Sequence, residues 1–195
     1  KWNLVKRLSY LLTHSHSAKL FAVRIVTQNK GKRTPGVDGI LWTSASDKMR
    51  AALSLTDRQY HAQPLRRIYI PKPGKATKRP ISIPTMYDRA VQALYALALQ
   101  PIAETTADTR SFGFRLFRSA QDASNYAFNC LSRKTSSQWI LEGDIKGCFD
   151  NIAHDWLMEN IPMDRSVLAQ FLKAGYIFEE NLFPTDQGTP QGGII

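Results

Sequence analysis

The chain is 195 residues long, enough for one full domain or a domain and a half. A hydrophobic content of 43% can fill an ordinary core and excludes a disordered polymer, and no apolar run approaches the roughly 20 residues that a bilayer helix requires. The net charge of +10 is unevenly placed: residues 1–100 carry 18 basic and 4 acidic side chains, whereas residues 101–195 carry 8 and 12.

Trp2, Val5, Leu8 and Leu12 recur at helical spacing and predict a helix over 2–13. Leu20, Phe21, Val23, Ile25 and Val26 predict a second over about 17–29. The stretch Gly31-Lys32-Arg33-Thr34-Pro35-Gly36 cannot continue a helix and reads as a basic loop. Ser44, with Asp47 three residues on, has the pattern of an N-cap opening a short helix to about Leu55. Two β-rich runs, 65–71 and 78–84, flank Lys72-Pro73-Gly74-Lys75 and predict a hairpin with cations at its tip. A longer helix is predicted over 86–100, ended by Pro101, and another over about 120–132. Residues 139–145 read as a strand that delivers Asp144 at its end. Helices return at about 153–160 and 164–174, and 181–195 reads as strand and loop around Gly188, Pro190, Gly192 and Gly193. No repeat and no Ser/Gly linker marks a domain boundary.

Charge placement is the first pointer to function. Lys1, Lys6, Arg7, Lys19, Arg24, Lys30, Lys32 and Arg33 fall within residues 1–37, where there is no acid. A basic half joined to a mildly acidic one predicts a polyanion-binding surface beside a site that gathers carboxylates. A Lys-rich solvated face is the plain alternative. A carboxylate at the end of a buried strand, as expected for Asp144, is held rigidly where it can meet a divalent cation, although such an acid can equally be a cap or a surface charge. Asp150 and Asn151 look suited to capping the helix that follows. Lys72, Lys75, Lys78 and Arg79, clustered on one turn, suit phosphate or form a solvated turn. Glycines around Gln191 permit close backbone approach to a ligand, or simply a tight loop. Cys130 and Cys148 have no metal-site companions and are expected to be buried free thiols. His14, His16 and His61 read as surface residues, and His154 as a hydrogen-bonded structural one. The opening Lys1-Trp2-Asn3-Leu4 shows no signal-peptide pattern, so a soluble intracellular protein is expected.

Taken in order, these motifs closely resemble those of reverse transcriptases. That family has a fingers hairpin of the form Ile-Pro-Lys-Pro…Lys-Arg-Pro, then a strand ending in Asp-x-x-x-x-Phe, then a Thr-Pro-Gln-Gly-Gly loop. Here stand Ile70-Pro71-Lys72-Pro73, Lys78-Arg79-Pro80, Asp144 to Phe149, and Thr189-Pro190-Gln191-Gly192-Gly193. Further segments resemble the group II intron-encoded (maturase) branch: Thr34-Pro35-Gly36-Val37-Asp38-Gly39, Ser111-Phe112-Gly113-Phe114-Arg115, Arg118 to Ala123, and Phe149-Asp150-Asn151-Ile152 with His154-Asp155. The family's second catalytic motif, Tyr-x-Asp-Asp, is absent, and the resemblance implies a fragment ending before the palm hairpin.

The resemblance implies an α+β fold on the right-hand polymerase plan. A helical N-terminal extension (1–40) would be followed by fingers (41–95), a first palm segment (96–152) with one strand near 138–145, and a return to the fingers (153–195). It implies RNA-directed DNA polymerase chemistry with two Mg²⁺ ions in the complete enzyme. Asp144 would be the catalytic metal ligand, with the Ile145 backbone carbonyl beside it. Lys72, Arg79, Phe149, Gln191 and Gly192 would bind the nucleotide, Phe149 excluding a ribose 2′-hydroxyl. Lys6, Arg7, Lys19, Arg24, Lys30, Lys32 and Arg33 would contact RNA. The implied partners are group II intron RNA, an RNA template with a DNA primer, and dNTP. No membrane is implied, a homodimer is compatible, and the setting would be a bacterial cytoplasm, with an organelle as alternative. A non-catalytic RNA-binding splicing cofactor and a retron or diversity-generating enzyme are the alternative functions.

Overall fold

In the computed structural model residues 2–55, 60–74 and 76–190 are described. The expectations for Gln191, Gly192, Gly193 and Lys75 therefore lie outside the described residues. The chain divides into two compact units, residues 1–99 with 147–195, and residues 100–146.

The first unit is organised by helices whose apolar positions share one face. Helix α1 (Trp2–His14) leads into α2 (His16–Gln28), and a 3₁₀ turn (Lys30–Arg33) follows. Ala18, Ala22, Val23 and Val26 of α2 are all buried. They pack against Ala51 and Ala52 of α3 (Ala45–Ser54), Leu55 after it, and Met86, Ala90, Val91 and Leu94 of α4 (Met86–Thr106). Ala22, Ala52 and Ala90 have no exposed surface, so the core brings helices together over methyl groups rather than large side chains. The α3 N-terminus closes as its sequence predicts: Ser44 accepts the Asp47 amide, and Asp47 accepts from the Ser44 amide. By contrast, the apolar positions of α1 form a helix but bury almost nothing, and only Thr13 is buried.

The hairpin strands are β1 (Leu65–Pro71) and β2 (Lys78–Ile83), paired antiparallel from Arg66↔Ile83 to Pro71↔Lys78. Pro80 is tolerated in β2 because β2 is an edge strand and needs no outward donor. Residues beyond α6 (His154–Asn160) and α7 (Arg165–Lys173) return to this hairpin. Strand β3 (Tyr176–Phe178) pairs parallel to β1 through Leu65↔Tyr176 and Arg66↔Ile177, and β4 (Asn181–Phe183) completes the order β2-β1-β3-β4. Sequence reading missed β3, which is only three residues long and carries no alternation of apolar and polar side chains.

The second unit departs from expectation. Helix α4 does not stop at Pro101 but winds on to Thr106: the ring removes one backward hydrogen bond and crowds the carbonyl four residues earlier, a cost the helix bears, while its fixed φ is already helical. Helix α5 (Ala120–Leu131) forms behind a Ser119–Asp122 capping box yet buries no residue. The strand expected near 138–145 is absent: residues 139–145 pair with no strand among the described residues, and Trp139 and Leu141 are 93% and 97% exposed. A strand exists only through hydrogen bonds to a neighbour, so an apolar run alone does not make one. Both cysteines are free but exposed, correcting the expected burial: Cys130 lies on α5 and Cys148 in the turn after Gly147.

Candidate functional site

The hairpin end holds three of the expected cations, and Lys78, opposite Pro71, is exposed. Lys72 follows β1 and its amide donates to the Thr77 carbonyl at 3.1 Å, while Arg79 pairs with Ile70 across the ladder; both side chains are exposed. Gly74 takes a left-handed φ of 70° at the turn, a conformation other residues adopt at a cost.

Beneath the hairpin sheet lies a cleft of about 370 Å³. Arg67, Pro80 and Ser82 line it from β1 and β2, Tyr176 from β3, and Phe149 and Gly188 through Pro190 from the two family loops. The loops are laced together: the Thr189 amide donates to the Phe149 carbonyl at 2.7 Å, and the Gly188 amide to that of Ile152 at 2.8 Å. Gly188 has φ 80°, and a Cβ there would lie 2.7 Å from the Phe149 carbonyl oxygen and 2.8 Å from that of Asp150. This position requires glycine for both conformation and space. His154 Nε2 stands 2.7 Å from the Gly188 carbonyl and donates to it, since a carbonyl only accepts. It is a structural hydrogen-bonding residue. Asn151 does not cap α6; its side-chain amide closes the turn onto the Gly147 carbonyl at 2.7 Å, and Ala153 is the cap position.

The remaining expected residues are placed as follows. Asp144 and Ile145 belong to the 100–146 unit and are exposed. Among the described residues no three His, Cys, Asp or Glu side chains gather as a metal site. Lys6, Arg7, Arg24, Lys30, Lys32 and Arg33 are exposed or half-buried, as is Lys19.

Three polar side chains that sequence reading passed over hold the basic loop and the start of α4. The buried Arg89 donates from Nε to the Pro84 carbonyl, from Nη1 to that of Gly31 (2.9 Å) and from Nη2 to that of Thr34 (2.6 Å). Arg66 donates two bonds to the Pro35 carbonyl. These arginines fix the loop that bears Lys30, Lys32 and Arg33. Asp88 accepts from the Thr85 hydroxyl at 2.6 Å, the Tyr60 hydroxyl at 2.7 Å and the Gln63 amide at 3.4 Å. Burial raises its pKa above the ordinary 3.8 although these donors oppose the shift. Nothing in the local pattern around Arg89 marks it, because two of its three carbonyl acceptors come from residues distant in sequence. Strand alternation could have assigned Arg67 to one face of β1, but not its partner Tyr176.

Residues 70–195 match the family described as reverse transcriptase (RNA-dependent DNA polymerase), and residues 1–55 match the N-terminal domain of reverse transcriptase. Among curated proteins, the chain is 37% identical over 176 residues to the group II intron-encoded protein LtrA of Lactococcus lactis subsp. cremoris, covering 86% of this chain and 29% of that protein. It is 35% identical over 187 residues to the protein YkfC of Escherichia coli K12, covering 89% and 49%. An uncharacterized 91 kDa protein in the cob intron of Schizosaccharomyces pombe is 33% identical, covering 88% and 22%. The chain thus spans less than half the length of these relatives. Among solved structures, a chain of the partial Cas6-RT-Cas1–Cas2 complex superposes with a TM-score of 0.56 at 20% identity, covering 96% of this chain and 32% of that one. At that identity the likeness is one of fold.

Proposed function

Because the chain belongs to the reverse transcriptase family, we propose that it forms part of a group II intron-encoded RNA-directed DNA polymerase. In this reading residues 1–40 are the N-terminal extension, 41–95 the fingers, 96–152 the first palm segment, and 153–195 the return to the fingers. The cleft carries the assignment: Phe149 and the Gly188–Pro190 loop, far apart in sequence, face one space under the hairpin sheet.

The reaction is nucleotidyl transfer, in which a primer 3′-hydroxyl attacks the α-phosphate of a dNTP and pyrophosphate leaves. Lys72 and Arg79 neutralise the triphosphate through charge-assisted hydrogen bonds. Phe149 fills the volume that a 2′-hydroxyl would need, and Gln191 and Gly192 are assigned to nucleotide binding by the family motif alone. The Asp144 carboxylate and Ile145 carbonyl are hard oxygen donors of the kind that suits Mg²⁺, and they would hold it jointly with carboxylates beyond these residues. When bound, Mg²⁺ stabilises charge on the attacking and leaving oxygens. With one of the family's catalytic carboxylates, the 195 residues alone are expected not to extend a primer. In a longer form carrying the Asp-Asp motif, Asp144→Ala should abolish primer extension while RNA affinity stays within about twofold, RNA being held mainly by phosphate contacts elsewhere. Extension by that variant at the parent rate would defeat the assignment.

A second reading, an RNA-binding splicing module, is favoured by one observation. The acid-free basic segment presents Lys30, Lys32 and Arg33 on a loop fastened by Arg89 and Arg66. Neutralising all three should weaken binding of structured RNA and reduce the slope of log affinity against log salt by roughly 0.7–0.9 for each phosphate no longer neutralised. Equal affinity before and after, at two salt concentrations, would remove this loop as an anchor.

A further inference from the structure

Arg67 stands opposite Ser82 on the hairpin sheet, with its guanidinium carbon 3.8 Å from the centroid of the Tyr176 ring. Tyr176 in turn stacks on Phe183, ring centroids 5.2 Å apart and planes within 15°. The cation therefore rests on a two-ring support contributed by β3 and β4. Its Nε is buried and has no hydrogen-bond partner among the described residues. Asp150 and Asp186 line the same cleft, yet the ion pair found among the described residues is elsewhere, between Arg115 and Glu104.

The side chain is half-buried, its Nε–H goes unanswered, and no carboxylate among the described residues lies within ion-pair distance of the guanidinium, so the outer edge of the fork is left for an acceptor from outside the chain. A neutral acceptor would satisfy hydrogen bonding but leave the charge; a phosphate satisfies both, and its oxygens match the planar fork of arginine. Stacking on Tyr176 holds the fork in one orientation before a ligand arrives, so little side-chain freedom is lost on binding. We propose that Arg67 is a phosphate-binding residue of the cleft, with Tyr176 as its positioning residue. The phosphate belongs either to the incoming nucleotide or to a nucleic-acid strand. This inference rests on reading the cleft as the nucleotide and nucleic-acid site.

The test uses the 195-residue chain, titrated with dTTP, with inorganic tripolyphosphate and with a short RNA–DNA hybrid, each at two salt concentrations. Arg67→Gln is expected to lose about tenfold in affinity for its ligand, the loss of one strong charged hydrogen-bond pair, with Arg67→Lys recovering only part. If dTTP and tripolyphosphate weaken and the hybrid does not, the phosphate is the nucleotide's. If the hybrid alone weakens and its salt slope falls by roughly 0.7, the phosphate is the strand's. Tyr176→Phe should bind as the parent does, and Tyr176→Leu should lose affinity although Arg67 is intact. Equal affinity of parent and Arg67→Gln for all three ligands would overturn the proposal and leave Arg67 a packing residue. If Arg67→Gln does not fold, Arg67→Lys decides: unchanged affinity overturns the proposal, and a loss at unchanged melting temperature upholds it. Failure of the parent chain to bind any of the three would instead overturn the reading of the cleft, and the Arg67 assignment with it.

Discussion

Helices α3 and α5 begin with the same device, a serine cap answered by an aspartate three residues on, and they end differently in energetic terms. Helix α3 buries Ala51 and Ala52 in a core shared with α2 and α4, whereas α5 buries nothing. The same contrast separates the two units. The first carries a continuous apolar core and buried polar ties; residues 100–146 contain no buried residue, and their Phe114, Phe117, Trp139 and Leu141 are almost wholly exposed. Capping and periodicity are local and suffice to start a helix, but stability comes from an apolar face meeting another. Hydrophobic sequence is a demand for a partner rather than evidence of one.

Four substitutions can break or sharpen that contrast. The largest effect is expected at Arg89, whose loss would leave the Pro84, Gly31 and Thr34 carbonyls without their donor. The Pro84 bond is buried and the other two part-buried; at about 1–3 kcal/mol for a buried acceptor left unpaired, Arg89→Ala should lower unfolding free energy by about 2–3 kcal/mol in urea titration. Phe128→Ser on exposed α5 should change it by no more than about 0.5 kcal/mol. Comparable losses at both positions would erase the distinction between the units. Next in size, Gly188→Ala forces a Cβ against two carbonyl oxygens at φ 80° and should cost on the order of 1–3 kcal/mol, read as a lower melting temperature. A neutral result there would mean that the Phe149–Thr189 lacing yields easily.

The smallest effect concerns pH. Burial raises the Asp88 pKa in the folded chain, so between the ordinary 3.8 and the raised value the folded state binds more protons than the unfolded one. The Asp88 contribution is therefore complete below 3.8 and declines as pH rises through the folded value. Asp88→Asn cannot titrate, so the stability advantage of the parent over this variant should shrink as pH rises from about 4 in paired urea titrations. A growing advantage would mean that the hydrogen bonds from Thr85, Tyr60 and Gln63 outweigh burial and hold the carboxylate charged.

By itself the sequence determined the family, through ordered motifs, and most helices and the hairpin, through periodicity, caps and turn residues that act within a few positions. It also located the basic segment, since charge at 1–37 is a matter of composition. Only the tertiary structure decided that β3 lies parallel to β1, that Phe149 and Gly188 share a cleft with Arg67 and Tyr176, and that His154 and Arg89 are fastened to distant carbonyls. It also decided that 139–145, apolar enough to be a strand, forms none among the described residues. Each of these outcomes depends on hydrogen bonds or packing between residues remote in sequence, for which no local pattern exists to be read.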